Sequence, residues 1–89
     1  MEETKYTQQE ILNLINQYYA TDRKTIKANL KRILIERDIE RKDIIELGFA
    51  SSNVYAWTGN VANNIPMLEQ ALTIACEFDF DVYEFLKEI

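Results

Sequence analysis

The stretch that decides the fold is residues 47–59, which read LGFASSNVYAWTG. Gly48 suits the positive φ angle that a tight turn between two helices requires, and Gly59 stands where a short helix should end. Between them, Ala50, Val54 and Trp57 recur at the i, i+4, i+7 spacing of one buried helical stripe. The pattern predicts a tight turn followed by one short helix.

The outward face of this short helix is small, polar and aromatic. Measured from the predicted stripe at about 100° per residue, Ser52, Tyr55 and Ala56 point away from the core, and Ser51 and Asn53 flank them. Side chains of this kind suit contact with another molecule. We therefore interpret residues 47–59 as the turn and second helix of a helix-turn-helix motif.

The composition is that of one small helical domain. The chain has 89 residues, of which 47% are hydrophobic and 28% charged, with two Gly and one Pro. Residues 1–5 are acidic rather than basic, and no apolar run of about 18 residues follows. We therefore expect no signal peptide, no membrane span and a cytoplasmic location.

The residue types argue against catalysis. The chain has no histidine, which removes the commonest general base and the commonest zinc ligand. We expect its single cysteine, Cys76, to be a small core residue. Asp79, Asp81 and Glu84 lack the glycine and spacing of a calcium loop and are more typical of a helix cap. We expect no enzymatic activity, no cofactor and no metal site.

The first helix is predicted by the capping box of Thr7 and Glu10 and should run from about Gln8 to Ala20. Its apolar arc is wider than one packing contact needs, and it comprises Ile11, Leu12, Leu14, Ile15, Tyr18 and Tyr19. We favour packing against the domain core as the explanation. The alternative is that part of the arc contacts a second subunit.

Four further helices complete an all-α chain of five or six helices. Asp22 caps the first of them, which ends near Glu36 or Arg37. Two more are predicted over residues 40–47 and 67–78, and the last, a terminal helix, starts at a capping box of Asp81 and Glu84. The short helix between Gly48 and Gly59 is counted in addition to these four. We divide the chain into an N-terminal helical extension, residues 1–22, and a helix-turn-helix domain, residues 23–89.

The net charge of -5 argues at first sight against a nucleic-acid partner. The charges are unevenly distributed, however. Residues 23–43 hold eight basic and four acidic residues, whereas the rest of the chain holds two basic and eleven acidic ones. A molecule this dipolar can present a positive face to phosphate although its total charge is negative.

Two groups of cations are candidates for phosphate contact. Lys24, Lys27 and Lys31 repeat on one face of the second helix, which is either a solvated face or a row that follows a sugar-phosphate backbone. Arg41 and Lys42 lie in the first turn of the third helix, where the helix dipole favours acids. A phosphate can be held there by these side chains and the amides of the helix start.

With these elements in place, residues 26–86 resemble the lambda-repressor-like helix-turn-helix family, often called the Xre or Cro/repressor family. The resemblance rests on Leu47-Gly48-Phe49 followed by Val54 and Trp57, and on residues 65–86, which are similar to the family's fourth and fifth helices. Three features depart from the pattern: a shorter first motif helix, a second motif helix without Arg or Lys, and the added N-terminal helix.

The resemblance implies a compact lambda-repressor-like fold and a sequence-specific transcriptional regulator, most simply a repressor, of bacterial, phage or mobile-element type. It places Ser51, Ser52, Asn53, Tyr55 and Ala56 at the major groove of double-stranded DNA. With the lysine row, it assigns phosphate contacts to Lys27, Lys31, Arg41 and Lys42. Most relatives form homodimers, here through the terminal helix (Tyr83, Phe85, Ile89) or the added N-terminal helix.

One alternative stays open from the sequence. The second motif helix carries no cation, so the strongest base contact, a bidentate cation on guanine, is not available from it. A helix-turn-helix module of this kind can instead bind a protein partner through its acidic surface, as an antirepressor or inhibitor, without specific DNA binding.

Overall fold

Five α-helices and one short 3₁₀ helix make up the computed structural model, which describes residues 6–60 and 64–88. The α-helices are α1 (Gln8–Ala20), α2 (Arg23–Glu36), α3 (Arg41–Ile45), α4 (Ser51–Thr58) and α5 (Leu68–Glu77), and the 3₁₀ helix is Val82–Leu86. The described ranges contain no strand, which confirms the all-helical prediction. None of their helices is long and apolar enough to cross a membrane.

The starts of α1 and α2 follow from their caps. The Thr7 hydroxyl accepts the Glu10 amide at 3.1 Å, and the Glu10 carboxylate accepts the Thr7 amide at 2.7 Å. The Asp22 carboxylate accepts the Lys24 amide at 2.9 Å. Both predicted caps are confirmed, because each depends on residues two or three positions apart.

The core is centred on α2. Its side chains Ile26, Leu30 and Ile33 are buried, and α2 packs against the 3₁₀ helix and α4. The other elements each contribute to the same cluster, through Leu14 and Tyr18, Ile44, Val54 and Trp57, Leu68, Ala71, Ile74 and Ala75, and Val82 and Phe85. Helix α4 is therefore held in place by the buried side chains that it packs against α2.

One face of α1 belongs to this core. Leu14 and Tyr18 are buried, and the Tyr18 hydroxyl donates a hydrogen bond to the Pro66 carbonyl at 2.7 Å. Burial raises the pKa of that hydroxyl. Core packing is thus confirmed for this face, while Leu12 and Tyr19 remain 49% and 60% exposed.

A buried amide attaches the C-terminal segment to α2. The Asn29 side-chain nitrogen donates to the carbonyls of Phe85 and Lys87 at 2.7 and 2.8 Å. Arg32 donates to the Asn29 side-chain oxygen at 3.1 Å and to the Glu84 carbonyl at the same distance. These bonds give partners to three backbone oxygens of the C-terminal segment.

The predicted terminal helix is present as a 3₁₀ helix over Val82–Leu86, and its predicted capping box is wrong. Asp81 caps it as expected, but the Glu84 carboxylate pairs with Arg32 and Lys87 rather than with the helix start. Phe85 is wholly buried and is therefore not available to a dimer partner. Ile89, the other apolar end of that predicted surface, lies outside the described residues.

Two burial predictions are also wrong. Ala50 is exposed because it precedes α4 with extended backbone angles, so the helical spacing does not apply to it. Cys76 is exposed because the core stripe of α5 passes through Ile74 and Ala75. The next position lies about 100° further around the helix and faces outward.

We expect Tyr18→Phe to lower the free energy of unfolding by about 1–2 kcal/mol, because the Pro66 carbonyl loses a buried partner. Urea denaturation followed by circular dichroism measures this loss. Tyr19→Phe is the matched control: its hydroxyl accepts the Leu68 amide, but the side chain is 60% exposed and water can replace it. Equal losses in the two variants would contradict the assignment.

Candidate nucleic-acid interface

The turn between α3 and α4 has the geometry that its glycine predicts. Gly48 has φ +112°, which side-chain-bearing residues rarely adopt, and its amide donates to the Ile45 carbonyl at 2.9 Å. After the turn, the Phe49 ring packs edge-on against Trp57, with ring centroids 5.4 Å apart. The turn is thereby packed against the C-terminal half of α4.

The outer face of α4 is exposed over its first turns. Ser51, Ser52, Asn53 and Tyr55 are exposed, and Ala56 is half-buried. On the opposite side, the buried Val54 and Trp57 anchor the helix in the core. The predicted outward face is confirmed as a surface, and its contact with DNA bases stays a prediction.

A cation from α3 lies on this face. The Arg41 guanidinium carbon is 4.7 Å from the centre of the Tyr55 ring, and its Nε donates to the Thr58 hydroxyl at 2.7 Å. That hydroxyl in turn donates to the Val54 carbonyl at 2.9 Å. Helix α4 has no cation of its own, so tertiary structure supplies one.

Lys27 is committed to the protein interior. Its ammonium donates to the carbonyls of Ala56, Trp57 and Asn64 at 2.7, 3.0 and 3.1 Å, and the residue is only 8% exposed. Burial, with the nearby charge of Lys31, lowers its pKa. An ammonium has three donors. Because all three are used at the C-terminal end of α4, we remove Lys27 from the phosphate contacts.

The other lysines of the predicted row remain near the surface. Lys31 donates to the Asn60 side-chain oxygen just beyond α4. Lys24 is exposed and lines a shallow groove with Lys31, Gly59 and Asn60. Both cations therefore lie beside the C-terminal end of α4.

Arg23 is a cation that the sequence did not single out. It is exposed and lines a second groove with Asn53 and Ala56 of α4 and with Asn64. Thirty positions separate Arg23 from Asn53 in the chain, and no local pattern connects them. Arg23 therefore adds a cation beside α4 that the sequence pattern does not predict.

The start of α3 is less suited to an anion than the sequence predicts. The Asp43 carboxylate accepts the Glu40 amide at 2.8 Å, so it occupies a donor at the helix start. Lys42 is 71% exposed and lies 3.9 Å from the Glu40 carboxylate. A phosphate at this helix start would meet two carboxylates, and Lys42 is the weakest of the assigned contacts.

The cations differ in whether a carboxylate neutralises them. Arg32, Lys42 and Lys87 form ion pairs, and the hydrogen bond from Lys87 lowers the pKa of Glu84. Across residues 6–60 and 64–88, the cations without such a pair are Arg23, Lys24, Lys27, Lys31, Arg37 and Arg41. Of these, Arg37 lies over the Phe80 ring, and the other five border α4.

No family model, curated protein or solved structure matches the chain. In the part of the chain that the structure describes, no group of three or more Cys, Asp or Glu side chains is placed to hold a metal ion. Helix α4 presents a neutral polar face, and the cations around that face have no carboxylate partner among the described residues.

We expect Lys27→Met to lower the free energy of unfolding by about 2 kcal/mol, because three carbonyls at the end of α4 lose a charged donor. Chemical denaturation measures the change. Lys24→Met is the matched control, since Lys24 lies on the same helix but is exposed, and it should shift stability by no more than about 0.5 kcal/mol. Wild-type stability in Lys27→Met would show that the ammonium does not cap α4.

Proposed function

We propose that this chain is a sequence-specific DNA-binding transcriptional regulator of the lambda-repressor-like type, which places α4 in the major groove. The observation that carries the proposal is the neutral, exposed face of α4 bordered by cations that no carboxylate neutralises. Phosphates flank the major groove on both sides, so a reading helix needs positive charge around it. The acidic residues of the chain neutralise cations elsewhere.

In this proposal, base readout and phosphate binding are carried by different elements. Ser51, Ser52, Asn53, Tyr55 and Ala56 form the face that meets the base edges. Arg23, Lys24 and Lys31 of α2 attract the phosphates, and Lys42, which is paired with Glu40, contributes less. Helix α4 also begins without a side-chain cap, which leaves the amides of Ser51 and Ser52 for a phosphate oxygen.

We further propose that two copies pair through α1. The exposed residues Ile11, Leu12, Ile15 and Tyr19 form an apolar strip on that helix. Glu10 is the one charged residue of α1, and Glu69 of α5 borders the strip, so two such strips would meet with less repulsion than other surfaces of a chain of net charge -5. The pairing would be isologous, as in most homodimers.

Selection from a random duplex library at about 0.15 M salt tests the DNA-binding function, because weak non-specific attraction is screened there. We expect a pseudo-palindromic site with half-sites about 34 Å apart. In Asn53→Ala, preference at one base pair should fall by about 1–3 kcal/mol. Selection of no site would favour the alternative, a module that binds a protein through its acidic surface.

Lys24→Gln combined with Lys31→Gln should weaken binding to all duplexes and reduce the slope of log affinity against log salt by about two, one for each lost phosphate contact. A titration series in rising salt measures the slope. Lys87→Gln is the matched control, since Lys87 is paired with Glu84 in the C-terminal segment. An unchanged slope in the double variant would refute both phosphate assignments.

Ile11→Asp combined with Ile15→Asp should convert a dimer into a monomer, because the two strips would then place carboxylates opposite each other. Sedimentation equilibrium measures the mass, and circular dichroism checks that the helices persist. Asn13→Asp is the control, because it adds a charge to the opposite side of the same helix. A monomeric wild type, or a dimer in the double variant, would exclude α1 as the interface.

A further inference from the structure

We infer that Arg41 reads a guanine base in the major groove, and that Tyr55 and Thr58 position its guanidinium to do so. The inference rests on the proposed DNA-binding function and deepens it. It assigns to Arg41 a base contact in place of the phosphate contact that the sequence predicts.

The Arg41 guanidinium is held on two sides. Its carbon lies over the Tyr55 ring, 4.7 Å from the ring centroid, and its Nε–H donates to the Thr58 hydroxyl at 2.7 Å. Thr58 is 7% exposed and donates its own proton to the Val54 carbonyl, so its oxygen is oriented to accept from Arg41. A long side chain is thereby ordered before any ligand binds.

The donors of Arg41 that have no partner among the described residues match the acceptors of guanine. Nε is used by Thr58, and within residues 6–60 and 64–88 neither terminal nitrogen of Arg41 has a hydrogen-bond partner. These two nitrogens form the fork that can donate in parallel to O6 and N7 of guanine. No other base pair edge in the major groove offers two adjacent acceptors to a cation in this way.

Arg41 also lies on the face of α4 where a base contact is expected. Tyr55, on which Arg41 stacks, is 53% exposed and belongs to the face of α4 that we propose to meet the base edges. An ordered, planar donor gains most where direction matters, whereas a phosphate is satisfied by a mobile point charge.

The test uses the site that wild-type protein selects, with each guanine replaced in turn by 7-deazaguanine, which lacks the N7 acceptor. We expect one guanine per half-site at which the replacement weakens wild-type binding by about 10-fold. Arg41→Met keeps an unbranched side chain but has no donor for O6 or N7, so it should bind the normal and the 7-deazaguanine duplexes equally. Its salt slope should match that of wild type.

Thr58→Val tests the positioning role. Thr58 is too buried to contact DNA, and valine keeps its shape without the hydroxyl. We expect this variant to lose most of the sensitivity to the same 7-deazaguanine while its salt slope stays at the wild-type value, with thermal melting as the check on folding. Full sensitivity in Thr58→Val would show that Thr58 does not position Arg41.

The outcomes separate the two proposals. If wild-type protein selects a site but no guanine in it depends on Arg41, the guanine contact is wrong and the DNA-binding function stands. If Arg41→Met retains the sensitivity of wild type to 7-deazaguanine, another residue reads that guanine and the inference is likewise overturned. If wild-type protein selects no site, the proposed function fails and the guanine contact fails with it.

Discussion

The position of α4 depends on one buried ammonium. Lys27 extends from α2, at the centre of the core, to the last carbonyls of α4 and to the carbonyl of Asn64. Removing an ammonium from water is costly, and burial lowers its pKa accordingly. Three carbonyl oxygens and the negative end of the helix dipole offset that cost. Because these acceptors belong to α4 and the segment after it, the bonds orient the exposed face of α4 relative to the core.

Around this anchor, charge and recognition are divided among elements. Helix α4 contributes neutral polar and aromatic side chains, and α2 and α3 bring cations to its borders. Carboxylates neutralise cations elsewhere, such as Arg32 and Lys87 near Glu84. An acidic chain can therefore keep a positive border at one helix, which is the physical basis of the proposed DNA-binding function.

Much of the fold could be predicted because short-range patterns determine helix ends. The bounds of α1 follow from Thr7 and Glu10, and the start of α2 follows from Asp22. The turn at Gly48 follows from a positive φ that glycine alone adopts at no cost. The terminal helix could not be predicted in the same way. Its capping box failed because the Glu84 carboxylate pairs with Lys87 at 2.9 Å and with Arg32, which is far away in sequence, at 3.5 Å.

The sequence by itself determined the helices, the exposed face of α4 and the uneven distribution of charge, because each depends on residues a few positions apart. Only the tertiary structure decided what each cation does. Lys27 is indistinguishable from Lys24 and Lys31 in the sequence, yet it alone of the three is buried, because its partners lie about thirty positions away. Arg41 reaches α4 across seventeen positions. Periodicity and capping rules carry no information about contacts at such separations, which arise when the helices pack.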